Sequence, residues 1–240
     1  IDGDGKLDLV VLNNLGNSIS LFRNNATLGA ISSSSFETRV DFTTGSSPRR
    51  LAIGDIDGDG RPDIITANFS DNNIAVFRNT ATAGAINSGS LAARVNFTMT
   101  QALAATVADI DGDGKLDVVA VGGSSTMSIF RNTASSGTIT SGSFAAKVDF
   151  TATNATSLAI GDIDADGKAD IVTASYSNSV LSIFKNTATS GVVNSSSLAA
   201  AVTVAAGTNP NAVAIGDLDG NGKLDLVTIA DADSKLSILR

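Results

Sequence analysis

The chain has 240 residues, of which 42% are hydrophobic and 17% are charged, a composition that is ordinary for a globular protein and disfavours disorder. Its formal net charge is −8 at pH 7, but 18 of its 24 acidic residues lie in five short loops, so we attribute the acidity to those loops. The sequence has no basic run with interleaved aromatic residues and no apolar stretch long enough to cross a membrane. We therefore expect neither nucleic-acid binding nor membrane insertion.

A unit of 53 to 55 residues repeats along the whole chain. Each unit starts with a short apolar run, such as Leu51–Ile53, which is followed by an aspartate-rich loop and a second apolar run, such as Ile64–Ala67. Runs this short, rich in β-branched residues and bounded by Gly, Asn and Asp, indicate strands. The sequence therefore predicts that each loop joins two strands.

In a third run, for example Ile74–Phe77, the character of the side chains alternates with a period of two residues, which predicts a strand with one buried face. A connection of constant length then leads to a fourth alternating strand, clearest at Phe36–Phe42. One basic residue closes the third strand of every unit, and we expect these residues to be solvated strand ends without a shared ligand role. They are Arg23, Arg78, Arg131, Lys185 and Arg240.

The aspartate-rich loops carry the candidate chemistry. In the second loop, carboxylates stand at positions 1, 3, 5 and 9, and a glycine at position 6 permits a tight turn. Carboxylates packed this closely repel one another unless a cation lies among them. An all-oxygen ligand set without His or Cys favours a hard cation, and the number and flexibility of the ligands favour Ca²⁺ over Mg²⁺. The five loops span residues 1–8, 55–63, 109–117, 162–170 and 217–225.

The pattern Asp-x-Asp-x-Asp-Gly-x-x-Asp between two strands resembles the FG-GAP or VCBS repeats, the calcium-loop propeller blades also found in the integrin α-subunit head. The resemblance covers the whole chain and implies an all-β fold, a β-propeller of tandem four-stranded antiparallel blades in one repeat array over residues 1–240. Because the family usually closes with about seven blades, we expect an incomplete segment of a larger propeller. An EF-hand or dockerin loop begins similarly but needs a following helix, and strand-like sequence stands there instead.

The resemblance also implies the calcium ligands: the side chains of positions 1, 3, 5 and 9 and the backbone carbonyl of position 7. It predicts four to five Ca²⁺ ions, since the first loop lacks position 1 and its metal is left open, while Asn221 is expected to weaken the fifth site. The implied ligands are Asp2, Asp4, Lys6 and Asp8; Asp55, Asp57, Asp59, Arg61 and Asp63; Asp109, Asp111, Asp113, Lys115 and Asp117; Asp162, Asp164, Asp166, Lys168 and Asp170; and Asp217, Asp219, Asn221, Lys223 and Asp225.

The leading functional hypothesis is a non-catalytic scaffold for protein or glycan contacts, within a longer secreted or surface chain that could also self-associate. An extracellular setting is expected because calcium loops of moderate affinity fill at millimolar calcium. Catalysis is not expected, since the chain has no His, no Cys and one Tyr. The alternatives are an accessory propeller of a polysaccharide-degrading enzyme, a structural stalk or filament repeat, and Asp-Gly turns without metal.

Overall fold

The computed structural model describes residues 1–123 and 125–240, and it is all-β across these ranges apart from one turn of 3₁₀ helix at Tyr176–Asn178. The strands form five antiparallel sheets, with three strands in the first and last sheets and four in each of the others. Strands that follow one another in sequence are hydrogen-bonded neighbours, so each sheet is a meander. No helix in the described ranges is long and apolar enough to span a membrane.

We call the sheets blades one to five. Blade one contains β1 (Leu9–Asn13), β2 (Ser18–Phe22) and β3 (Val40–Thr43). Blade two contains β4 (Pro48–Gly54), β5 (Asp63–Asn68), β6 (Asn73–Phe77) and β7 (Val95–Thr98). Blade three contains β8 (Ala102–Ala108), β9 (Asp117–Gly122), β10 (Thr126–Phe130) and β11 (Val148–Thr151). Blade four contains β12 (Ala155–Gly161), β13 (Asp170–Ser175), β14 (Val180–Phe184) and β15 (Val202–Ala205), and blade five contains β16 (Pro210–Gly216), β17 (Asp225–Ala230) and β18 (Lys235–Leu239).

The blades pack face to face in chain order. The first strands of blades two to five contact one another in sequence, β4 against β8, β8 against β12 and β12 against β16, so they form the inner edge of the array. No comparable packing joins blade one to blade five within the described residues. The molecule is therefore an open array of propeller blades, as the sequence predicted, and the number of blades in a closed ring stays a prediction.

Alternate residues of each second strand serve opposite interfaces. Ile64 packs towards blade one, whereas Ile65 and Ala67 pack towards blade three. Side chains of a strand point alternately to its two faces, and both faces of a middle blade are covered by neighbours. All six residues of the second strand are consequently buried in blades two, three and four. Four hydrophobic cores result, one in each seam between adjacent blades.

Two details of the strand prediction were wrong. The third strand is buried on both faces in the middle blades, since Ile74 and Ala75 are both fully buried but belong to cores on opposite sides of blade two. The fourth strand of the first unit begins at Val40 and not at Phe36. Phe36 instead forms an isolated β-bridge with Asn24. Regular pairing with the third strand of the blade starts only four residues later, at Val40.

Exposed apolar side chains concentrate on the two end blades. In blade one, Leu9 and Val11 are exposed, while Val10 and Leu12 on the opposite face pack against the first core. In blade five, Ile229 of the second strand is exposed in the same way. These are the faces that, in the middle blades, pack against a neighbouring sheet.

Candidate metal centres

Each aspartate-rich loop joins the first strand of its blade to the second, as predicted. In loop two, β4 ends at Gly54 and β5 begins at Asp63. The Asp55 carboxylate folds the loop by accepting hydrogen bonds from the backbone N–H groups of Asp59 (3.1 Å) and Gly60 (2.8 Å). Gly60 lies at φ +85°, a conformation that glycine adopts without steric cost. The turn therefore forms from the loop's own side chains.

The structure brings positions 1, 3 and 9 together in loops two to five. In each of these loops, one carboxylate oxygen from each of the three aspartates lies within 4.8 Å of the other two. Oxygens at that separation can share one cation. The four triads are Asp55, Asp57 and Asp63; Asp109, Asp111 and Asp117; Asp162, Asp164 and Asp170; and Asp217, Asp219 and Asp225.

The position-9 aspartate is held in place by backbone groups on both sides. In loop two, the Ile56 N–H donates to Asp63 Oδ2 at 3.0 Å and the Asn79 N–H donates to Asp63 Oδ1 at 2.8 Å. The same two contacts recur around Asp117 in loop three. This carboxylate is therefore fixed between its own loop and the asparagine that follows the strand-end base.

The basic residues that close the third strands contact the loops, which corrects the expectation that they are merely solvated. Arg78 Nε donates to Asp57 Oδ2 at 2.7 Å, and Arg78 Nη2 donates to Asp59 Oδ2 at 3.2 Å. Equivalent ion pairs join Arg131 to Asp111 and Asp113 at 3.7 Å. The third strand ends at the same edge of the blade as the loop, so its last side chain reaches the carboxylates of positions 3 and 5.

Position 5 thus lies outside the triads in the described geometry. Asp59 Oδ1 accepts the Arg61 N–H at 3.0 Å while its other oxygen pairs with Arg78. Asn221 makes the same backbone contact with the Lys223 N–H in loop five. A metal ligand role for position 5, and for the position-7 carbonyls of Lys6, Arg61, Lys115, Lys168 and Lys223, stays a prediction.

Loop one begins at position 2 in this sequence, and it keeps contacts that loop two also makes. The Ile1 nitrogen donates to Asp8 Oδ2 at 2.7 Å, as the Ile56 nitrogen does to Asp63. Arg23 pairs with both Asp2 (2.7 Å) and Asp4 (2.8 Å), as Arg78 does with Asp57 and Asp59. Among the described residues, the three aspartates of loop one are not one of the groups whose oxygens converge. A metal-ligand role for Asp2, Asp4 and Asp8 stays a prediction.

The next blade covers loops two and three. Above loop two, the Gly137 N–H donates to the Asp57 carbonyl at 3.2 Å and Ser136 Oγ donates to the Gly58 carbonyl at 3.1 Å. Gly191 and Ser190 make the matching contacts with loop three. These groups belong to the connection after the third strand of the following blade, and the described residues include no such connection over loops four and five.

Burial of the covered carboxylates shapes their electrostatics. Burial raises the pKa of Asp63 and of Asp117 to about 6, although backbone hydrogen bonds partly oppose it. Burial also raises the pKa of Asp111, with the neighbouring Asp113 charge adding to the effect. Asp111 Oδ2 is buried and accepts no hydrogen bond, its nearest cationic partner being Arg131 at 3.7 Å.

These observations test whether the loops suit a hard divalent cation. The donors are all carboxylate oxygens, three from each loop converge, and loop three keeps a buried carboxylate oxygen without a hydrogen-bond donor. A buried charge of this kind is costly unless it is paired or coordinates a metal. The residues present therefore fit a metal ion of the calcium type.

Sequence reasoning missed the asparagine that follows the strand-end base. In the middle blades this side chain is buried and contacts two loops at once, through carbonyls far apart in sequence. The recurring Arg-Asn or Lys-Asn doublet was the available signal. It occurs at Arg23-Asn24, Arg78-Asn79, Arg131-Asn132 and Lys185-Asn186.

Comparison with known proteins agrees with this geometry. A family model described as "FG-GAP-like repeat" matches four overlapping segments, residues 1–66, 55–120, 109–173 and 162–228. No curated protein matches the sequence. Among solved structures, the crystal structure of BBS1N in complex with ARL6DN, soaked with lead, matches with a TM-score of 0.51 and 14% identity over 82% of this chain and 57% of that chain. The mercury-soaked crystal of the same complex gives a TM-score of 0.48 and 14% identity over 79% of this chain and 52% of that chain.

Proposed function

The chain belongs to the FG-GAP-like repeat family, and from that premise we propose that it is a calcium-binding segment of a β-propeller that acts as a non-catalytic binding scaffold. One observation carries the calcium assignment: four aspartate triads converge at equivalent places in successive blades, and Asp111 offers a buried oxygen without a hydrogen-bond partner. A flexible loop of oxygen ligands suits Ca²⁺ better than the smaller Mg²⁺, which demands strict octahedral geometry.

In this proposal, the calcium-filled loops stabilise the packing of adjacent blades. Bound calcium neutralises carboxylates that otherwise repel one another beside the seam between two blades. Arg78 and its equivalents hold the outer oxygens of positions 3 and 5, and the backbone holds position 9. These contacts orient the triad before the metal arrives, which lowers the ordering cost of binding.

We place this scaffold outside the cell, because loops of moderate affinity are filled where calcium is millimolar. The chain spans a little over half of the BBS1N chain that it resembles, a likeness that concerns the fold alone. That protein is described in complex with ARL6DN, which supports a protein as the first class of partner to test. The lack of His and Cys supports a non-catalytic role, since the commonest general bases and thiol nucleophiles are missing.

Isothermal titration of the chelator-washed chain with CaCl₂ tests the metal assignment. We expect calcium binding at several sites with dissociation constants on the order of 10⁻⁵ to 10⁻⁴ M, and weaker binding of MgCl₂ in a parallel titration. The control is a chain with Asp57→Asn, Asp111→Asn, Asp164→Asn and Asp219→Asn, which removes one carboxylate from each triad. No heat with calcium, or equal affinity for magnesium, would contradict the proposal.

A further inference from the structure

A buried asparagine follows the strand-end base in each middle blade. Asn79, Asn132 and Asn186 are at most 1% exposed, and we call them the bridging asparagines. Each lies between the loop of its own blade and the loop of the preceding blade. A buried primary amide is stable only when its donors and acceptor are satisfied, so its contacts report which groups it fixes.

Asn132 satisfies both of its amide donors and its acceptor oxygen in this position. Its Nδ2 donates to the carbonyl of Ile56 at 2.7 Å and to the carbonyl of Leu116 at 2.9 Å. Its Oδ1 accepts the Ala134 N–H at 2.8 Å, and its own N–H donates to Asp117 Oδ1 at 2.7 Å. The Ile56 carbonyl belongs to loop two, between the triad aspartates Asp55 and Asp57, while Leu116 and Asp117 belong to loop three.

The arrangement repeats wherever the described residues include a preceding loop. Asn186 Nδ2 donates to the Ile110 carbonyl at 2.8 Å, and Asn79 Nδ2 donates to the Ile1 carbonyl at 2.9 Å. In blade one, Asn24 Nδ2 donates to the Leu7 carbonyl of its own loop at 2.9 Å, and the described residues give it no second carbonyl from another loop. The chain therefore contains its own control, a residue in the same blade position without the second contact.

In loop two, blade three binds three consecutive carbonyls. Asn132 holds that of Ile56, Gly137 holds that of Asp57 and Ser136 holds that of Gly58. These carbonyls lie on the backbone that carries Asp55 and Asp57 towards Asp63. Holding the backbone in the triad geometry lowers the conformational cost of binding an ion there.

We propose that Asn132 is a positioning residue for two calcium sites at once, its own loop three and the preceding loop two. The calcium affinity of one blade then depends on a side chain of the next, 76 residues further along the chain. This inference rests on the proposed function. It adds that each blade helps to position the metal ligands of the blade that precedes it in the chain.

Site-resolved calcium titration tests the inference. The position-6 glycines Gly60, Gly114, Gly167 and Gly222 give each of loops two to five its own backbone amide to follow in the NMR spectrum of ¹⁵N-labelled chain. We expect Asn132→Ala to weaken calcium binding about two- to tenfold at Gly60 and at Gly114, the effect of losing a buried hydrogen bond at each loop. Binding at Gly167 and Gly222 should be unchanged.

Two further variants separate positioning from general loss of stability. Asn24→Ala should leave the Gly60 isotherm unchanged, because the loop contacts of Asn24 are with Leu7 and Asp8 of loop one. Ser136→Ala removes one exposed contact with loop two and should weaken binding at Gly60 but not at Gly114, and it decides the matter if Asn132→Ala does not fold. A wild-type chain whose glycines ignore calcium would refute the proposed function itself. Calcium binding with an unchanged Gly60 isotherm in folded Asn132→Ala, or an equal loss at all four glycines, would refute the bridging role alone.

Discussion

Loops three and five have closely similar sequences but lie in different surroundings. In loop three, Asp111 is buried, and blade four supplies backbone and side-chain donors to the carbonyls of the loop. In loop five, Asp219 is exposed, and Leu218 at position 2 is 56% exposed where Ile110 is buried. The apolar side chain at position 2 is therefore buried in the covered loop and exposed in the uncovered one. The neighbouring blade, more than the loop sequence, sets the burial of a site.

Removing calcium should give the largest effect. If each filled site contributes about 1.5 to 3 kcal/mol at millimolar calcium, chelation removes several such contributions together. We expect EDTA to lower the melting temperature strongly, and calcium add-back to fill loops two and three before loops four and five. Thermal melting with and without EDTA measures the first effect, and the position-6 glycine resonances measure the order. An unchanged melting temperature, or filling of loop five first, would contradict the comparison.

Substituting the same ligand in a covered and in an uncovered loop should sharpen the comparison between loops three and five. In calcium, Asp111→Asn should lower the unfolding free energy by about 1.5 to 3 kcal/mol, the contribution of one site, whereas Asp219→Asn should cost less than about 1 kcal/mol. In EDTA the sign should reverse for Asp111→Asn, because the substitution removes a buried charge whose nearest cationic partner, Arg131, lies 3.7 Å away and whose Oδ2 accepts no hydrogen bond. Urea denaturation in both buffers measures this. A destabilised Asp111→Asn in EDTA would count against the burial argument.

The strand-end bases offer a matched pair. Arg78 makes two short contacts with Asp57 and Asp59, while Arg240 lies 3.7 Å from Asp219 and is mostly exposed. We expect Arg78→Gln to cost about 1 to 3 kcal/mol, as for charge-assisted hydrogen bonds, and Arg240→Gln to cost under about 1 kcal/mol, as for exposed pairs. Chemical denaturation compares the two variants. Equal costs would mean that the Arg78 contacts add nothing beyond a surface ion pair.

The pH dependence should depend on calcium. Burial raises the pKa of Asp63 and Asp117 to about 6, above the unfolded value near 4, so the folded chain binds these protons more tightly. Their contribution to stability is complete below about pH 4 and is lost as pH rises through about 6. In EDTA, melting temperatures should therefore rise from pH 7 to pH 5. In calcium, the same protons compete with the metal, so half-saturation at pH 5 should need more calcium than at pH 7.

The smallest effect concerns one residue of loop four. Ala165 adopts φ +60°, where loops two, three and five have glycine at the same position. Ala165→Gly should relieve a left-handed conformation and stabilise the chain by roughly 0.5 to 1 kcal/mol. Gly58→Ala in loop two is the reverse control, since its added methyl group would meet no atom within 4 Å and only the backbone conformation is tested. Opposite signs are expected in denaturation curves, and equal signs would refute the strain argument.

Much of the fold could be predicted because its strands and loop turns are determined by short segments of the sequence. Short β-branched runs gave the strands, and the aspartate spacing gave loops that turn on their own hydrogen bonds, as Asp55 does with Gly60. The contacts between repeats could not be predicted in the same way. Asn132 reads as a polar residue after a strand, and its role depends on Ile56, which approaches it only when two blades pack.

The burial pattern shows the same limit. Ala75 and Ser128 stand at alternating positions that predict a solvent-facing side of the third strand, yet both are fully buried. A sequence pattern of period two gives the two faces of a strand but not what covers each face. That information belongs to the packing of neighbouring blades, which is also what distinguishes loop three from loop five.

The cover over loop two has a consequence for the order of events during biosynthesis. A polypeptide grows from its N-terminus, and domains fold as segments become available. Loop two is synthesised by residue 63, but its last stabilising donors, Ser136 and Gly137, are added more than 70 residues later. A covered site is thus completed only after the following repeat has been synthesised, so calcium present during synthesis would stabilise the array blade by blade in the direction of synthesis.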